Sequence, residues 1–211
     1  MKHPFTCLVS GPTGSGKTSL VKSIIEQQVI EPSPKNVLWL YAADQPLYKG
    51  MKGVTFHQGI PEDIETRFNP KTTNLLIIDD LMTQCHSDER MTRLFSVGSS
   101  HKNLSIIFII HNLFHQGKEM RNISLNTHYI ILFKNPRDSQ QIATLARQMY
   151  PGKSQFLIGL FFNFGFQKQT QSSKREVLFN FPIIFSSDEC AVFHRIQELF
   201  PRNFRIFTCQ R

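Results

Sequence analysis

Apolar residues come in short, separated runs along this chain, and the spacing inside each run changes from one to the next. Residues 5–10, Phe-Thr-Cys-Leu-Val-Ser, form a brief apolar run between Pro4 and Gly11 and predict a short buried strand. The period then lengthens. Leu20 with Ile24 and Val21 with Ile25 stand four apart, which predicts a helix over about 16–30, stopped by Pro32 and Pro34. Strand-like runs follow at Val37–Tyr41, more weakly at Val54–Phe56, and clearly at Leu75–Ile78, which runs straight into Asp79-Asp80. Ser87 is placed to cap a further helix, with Asp88 and Glu89 suiting its positive end. Leu104–Ile110 and Tyr129–Phe133 predict two more strands. A last helix follows Pro136, where Ile142, Leu145, Ala146 and Met149 mark one face, and Pro151 ends it.

The strong runs do not alternate strictly between apolar and polar, as expected of parallel strands covered on both faces. Strands alternating with helices predict an α/β fold with a mostly parallel sheet flanked by helices. In such a fold the loops after the strand C-termini gather along one edge. The pattern lapses near residue 156. Two parts are therefore expected, an α/β domain over 1–156 and a tail over 157–211 that holds most of the chain's 19 Phe. Within the tail, Phe161-Phe162-Asn163-Phe164-Gly165-Phe166 has neither a helical nor a strand period.

Composition narrows the picture. At 211 residues and 40% hydrophobic content, one ordinary domain and a short appendage are feasible. A formal charge of +8 favours polyanionic partners, nucleic acid above all, against the plainer reading of a solvated basic surface. The four cysteines, Cys7, Cys85, Cys190 and Cys209, form no C-x-x-C pair and have no metal-ligand spacing, so inert thiols are expected. No apolar run approaches a membrane span, and Met1-Lys2-His3-Pro4 opens no secretory leader. A soluble intracellular protein is expected, with no membrane partner.

The chemistry concentrates where the first strand meets the first helix. Gly11-Pro12-Thr13-Gly14-Ser15-Gly16-Lys17-Thr18 fits G-x-x-x-x-G-K-[ST] in full, between a strand and a helix as that motif requires. Glycines let backbone N–H groups turn inward around phosphate oxygens, and the helix directs its positive end at the same anion. The residue types predict a P-loop binding ATP and Mg2+ through Gly11, Pro12, Thr13, Gly14, Ser15, Gly16, Lys17, Thr18 and Ser19. Lys17 faces the β- and γ-phosphates, and the Thr18 hydroxyl is offered to magnesium. The competing reading, a glycine turn with a solvated lysine, leaves this clustering unexplained.

About 60 residues further on, Asp79 and Asp80 end an apolar strand as a Walker B pattern. Asp79 is assigned to the magnesium shell and Asp80 to the attacking water; the alternative for a lone acid there is a turn or a helix cap. The next strand ends in His111-Asn112, either of which can sense the γ-phosphate if it is not merely loop polarity. Arg121 is a candidate to stabilise transferred charge, in its own subunit or a neighbour's. Arg137 is a weaker candidate, and Arg147 reads as an exposed helix residue.

The stretch from His101 to Tyr150, including Ser-Ile-Ile-Phe-Ile-Ile-His-Asn-Leu-Phe-His-Gln-Gly-Lys-Glu-Met-Arg, resembles the viral genome-packaging ATPases of the FtsK/HerA group, those of Maverick-type elements and adintoviruses in particular. Together with the P-loop and Asp79-Asp80, the likeness covers residues 1–156. It implies an ATP hydrolase of the additional-strand class, assembling as a ring that drives double-stranded DNA into a capsid, with a capsid or portal component as a further partner. It also implies Walker A roles for Lys17 and Thr18 and Walker B roles for Asp79 and Asp80. His111 stands at a sensor position that often carries glutamine in this group, and Arg121 matches an arginine usual in these relatives. After Tyr150-Pro151 the relatives continue with an aliphatic strand, where this chain enters its Phe-rich tail. Two other functions compete: a P-loop nucleotide or nucleoside kinase, and a nucleotide-binding chain without turnover.

Overall fold

The computed structural model describes residues 1–81, 84–85, 88–94, 102–112, 127–133, 139–149, 152, 154–155, 158–159, 183–186 and 205–208. Ser87, Arg121, Arg137, Cys190, Cys209 and the Phe161–Phe166 segment lie outside them.

Each apolar run read as a strand, the weaker one at residues 54–56 included, becomes one: β1 (Thr6–Ser10), β2 (Asn36–Tyr41), β3 (Val54–Gln58), β4 (Asn74–Asp79), β5 (Leu104–Ile110) and β6 (Tyr129–Leu132). Two further strands, β7 (Ile183–Ser186) and β8 (Arg205–Thr208), come from the tail. All eight form one sheet in the order β3-β2-β4-β5-β1-β6-β7-β8. The pairings from β3 through β6 are parallel; β7 runs antiparallel to β6 and β8 parallel to β7.

Both faces of β1, β2, β4, β5 and β6 are covered, which explains why their sequences do not alternate, while the edge strand β3 is only partly buried. On one face Cys7, Val9, Trp39, Ile77, Ile107, Ile109 and Ile131 pack with Leu20, Val21 and Ile24 of helix α1 (Lys17–Glu26). On the other, Leu8, Leu40, Ile78, Phe108, Ile110 and Leu132 pack with Met91 of the short helix α2 (Glu89–Arg93) and Leu94 at its end, and with Leu145 and Ala146 of helix α3 (Ser139–Met149). Every residue of β4 and β5 is buried. Cys7 and Cys85 are free thiols within these cores, and burial pushes both up, Cys85 to about 12. Among the described residues no helix is long and apolar enough to cross a membrane.

Two local expectations are corrected. Helix α1 ends at Glu26, well before the prolines, because Gln28 turns to φ 52 and sends Val29 and Ile30 into the core. Helix α2 is capped by Asp88, whose side chain accepts from the Arg90 backbone N–H, one residue later than expected. An aspartate carboxylate caps at least as well as a serine hydroxyl.

Candidate nucleotide-phosphate site

The strand order brings three chain segments to one point. Strand β5 lies between β1 and β4, so the residues following all three strands meet at the C-terminal edge of the sheet. The P-loop follows β1, Asp80 follows β4, and His111 follows β5. Around them opens a cavity of about 420 Å³ lined by Thr13, Gly14, Gly16, Lys17, Thr18, Ser19, Asp79, Asp80, Ile109, His111, Gln45 and Leu47.

Gly16 sits at the start of α1 with φ 95, a conformation that a side chain disfavours, and no side chain caps the helix. Nor is there an acid in the first turn. The helix N-terminus is thus left open to an anion, with its dipole directed into the cavity. Gly11 lies beneath the loop against Phe133; a Cβ there would come 2.5 Å from the Phe133 Cβ. Ser15 Oγ is buried within the loop without a hydrogen-bond partner.

Lys17 is 6% exposed. Its ammonium donates to the carbonyl oxygens of Gly11 (2.8 Å) and Pro12 (3.0 Å) and lies 3.3 Å from His111 Nδ1. Burial pulls its pKa below the usual lysine value, opposed by the carboxylates of Asp79 and Asp80. Thr18 Oγ1 donates to Asp79 Oδ2 at 3.3 Å, and the Tyr48 hydroxyl donates to the same oxygen at 3.0 Å. Burial raises the Asp79 carboxyl above the usual carboxylate range, against these two hydrogen bonds and the nearby Lys17. Asp80 takes a left-handed backbone, φ 59, and its Oδ1 lies 3.1 Å from His111 Nε2.

The donor set fits a magnesium-bound nucleotide. Thr18 Oγ1 and Asp79 Oδ2 are two hard oxygens at one point, and cis ligands of a magnesium ion stand about 3 Å apart. Among the described residues no group of three or more His, Cys, Asp or Glu forms a metal cage. Such a cage is not needed where phosphate oxygens and water complete the shell.

Of the residues singled out from sequence, the P-loop, Asp79, Asp80 and His111 come together. Asn112 is absent from the cavity lining. Arg147 is exposed on α3. Sequence reasoning missed Gln45, Leu47, Tyr48 and Phe133. Gln45 precedes, and Leu47 and Tyr48 belong to, a 3-10 turn (Pro46–Tyr48) with no period to flag it; the available signal was its place after β2, the neighbour of the strand that carries Asp79.

A glycine loop between β1 and α1, with a strand inserted between β1 and the strand bearing the acidic pair, defines a P-loop NTPase fold of the additional-strand type. Solved structures share it. B204, the DNA-packaging ATPase from Sulfolobus Turreted Icosahedral Virus, superposes with a TM-score of 0.52 at 13% identity, over 74% of this chain and 89% of that one. The genome packaging NTPase B204 from Sulfolobus turreted icosahedral virus 2, in complex with sulfate, gives 0.50 at 12% identity, over 74% and 86%. At such identities the likeness is one of fold. No protein-family model matches the chain, and no curated protein matches it in sequence.

Proposed function

We propose that this chain is a Mg2+-dependent ATP hydrolase whose residues 1–156 form the ATPase unit, and that it works in a homo-oligomeric ring translocating double-stranded DNA into the capsid of a virus-like element. The observation that carries the hydrolase reading is the approach of the Thr18 hydroxyl to the Asp79 carboxylate at the mouth of an uncapped helix, with Lys17 beside it. The motor reading is supported by the formal charge of +8 and the resemblance of residues 1–156 to packaging ATPases. It is also supported by a fold shared with a protein described as a DNA-packaging ATPase.

The residues divide the work as follows. Backbone N–H groups from Gly14 to Ser19 surround the β- and γ-phosphates. Lys17 exchanges its carbonyl acceptors for phosphate oxygens. Thr18 and Asp79 would hold magnesium, which would supply neutralisation of the phosphate charge. Asp80 accepts a proton from the water attacking the γ-phosphorus as the bond to the β-phosphate oxygen breaks, leaving ADP and inorganic phosphate. His111, in contact with both Lys17 and Asp80, senses the γ-phosphate. Arg121 acts on the same charge from a neighbouring subunit. Single-turnover ATP hydrolysis with and without duplex DNA tests the whole. Turnover stimulated by DNA is expected; binding without turnover, or phosphoryl transfer to a nucleoside acceptor, would replace this reading.

A further inference from the structure

Tyr48 is 5% exposed, and its ring is fixed on several sides. Its centroid lies 5.0 Å from Phe56 in a stacked arrangement, 5.2 Å from Tyr41 and 5.5 Å from Trp39. Its backbone N–H is tied to the Gln45 carbonyl at 3.0 Å. A ring held in this way can aim its hydroxyl in few directions, and that hydroxyl donates to Asp79 Oδ2 at 3.0 Å. The plainer explanation is that a buried phenol needs an acceptor and Asp79 is at hand. The choice of oxygen argues for more. Oδ2 is also the oxygen facing Thr18 Oγ1, and a carboxylate oxygen has two lone pairs. With one taken by Tyr48, the other is directed to the Thr18 side, where magnesium would be bound.

We infer that Tyr48 is a positioning residue for the metal site: it orients the Asp79 carboxylate toward magnesium and ties that orientation to strands β2 and β3 through the Trp39–Tyr41–Phe56 cluster. The inference rests on the nucleotide reading above. Partners that orient a metal ligand typically contribute 10- to 100-fold in metal affinity.

The test is ATP affinity measured calorimetrically at stepped free Mg2+ and again in excess EDTA, for wild type, Tyr48→Phe and Tyr41→Phe. Tyr48→Phe removes one oxygen and keeps the stacked ring. Its half-saturating Mg2+ should rise about 10-fold while its ATP affinity in EDTA stays at the wild-type value, which also shows that the loop has folded. Tyr41→Phe removes a hydroxyl from the same cluster without touching Asp79, and should match wild type in both conditions. A wild-type Mg2+ requirement in Tyr48→Phe, or equal losses with and without Mg2+, overturns the positioning role alone. Wild-type ATP binding that is indifferent to Mg2+ overturns the metal site and this inference with it, and no ATP binding by wild type in either condition overturns the nucleotide reading itself.

Discussion

Nε2 of His111 lies 3.1 Å from Oδ1 of Asp80, and the opposite ring nitrogen faces the Lys17 ammonium at 3.3 Å. Lysine can only donate and an ionised aspartate can only accept, so a neutral imidazole carrying its proton on Nε2 satisfies both contacts. One side chain therefore touches both the cation proposed for the phosphates and the acid proposed for the attacking water. His111→Ala should retain ATP binding and lose about 10- to 100-fold in single-turnover hydrolysis, the size of a lost hydrogen bond to a charged group. Unchanged hydrolysis would place His111 outside the chemistry.

The two acids should fail differently. Asp79→Asn is expected to lose the Mg2+-dependent part of ATP binding, because the amide replaces the carboxylate proposed to hold the metal. Asp80→Asn is expected to bind Mg-ATP normally and lose turnover. Its φ of 59 makes asparagine the appropriate probe, since Asn tolerates the left-handed region while Ala or Val adds backbone strain. Nucleotide binding and hydrolysis measured on both variants decide the assignment, and a swap of the two phenotypes would reverse it.

Gly11 is held to its identity by packing. A methyl group there meets the Phe133 Cβ at 2.5 Å, an atom attached directly to the β6 end of the sheet and unable to swing away. Gly11→Ala should cost about 1–3 kcal/mol, lowering the melting temperature by roughly 2–4 °C per kcal/mol. Phe133 is itself a core residue, so the clash shows in the coupling: Gly11→Ala should cost less in a Phe133→Gly background, where the clashing atom is gone, than in a Phe133→Ala background, where it stays. Thermal melts with and without Gly11→Ala in each background check this.

Duplex DNA should bind without sequence preference and stimulate hydrolysis, given the charge of +8. Binding should weaken steeply between low and physiological salt, because each phosphate neutralised releases counterions. A titration at two salt concentrations gives the slope. A flat salt dependence would argue against a DNA motor.

Lys17→Ala is expected to abolish hydrolysis and weaken ATP binding, since the cation proposed for the phosphates is lost. Arg121→Ala should bind ATP normally and fail to hydrolyse it. Mixed in one oligomer, the two inactive variants should recover partial activity, because an intact P-loop from one subunit can meet an intact Arg121 from the other. Hydrolysis in mixtures of verified composition is the measurement. No recovery would place Arg121 within its own subunit's site or outside the chemistry.

Much of the fold was legible because its signals are local. Four-residue spacing of Leu20 with Ile24 marked the core face of α1, and unbroken apolar runs at residues 75–78 and 104–110 marked strands buried on both sides. The glycine loop between β1 and α1 was legible for the same reason: eight consecutive residues carry the glycines, the cation and the hydroxyl. The end of α1 is not legible in the sequence because its stop is a left-handed Gln28, a residue type that gives no such warning, while the prolines that do lie further on.

What the sequence determined by itself is therefore the six strands β1 to β6, the three helices, the glycine loop and the acidic pair, all written in residues close together along the chain, whereas β7 and β8 of the tail left no such mark. The tertiary structure decided which of them meet. Inserting β5 between β1 and β4 carries His111 to Lys17 across 94 positions, the turn after β2 brings Tyr48 to Asp79 across 31, and pairing of β6 with β1 sets Phe133 under Gly11. Contacts of that span leave no periodic trace, because the order of strands in a sheet is set by how whole faces pack, and no run of neighbouring residues records it.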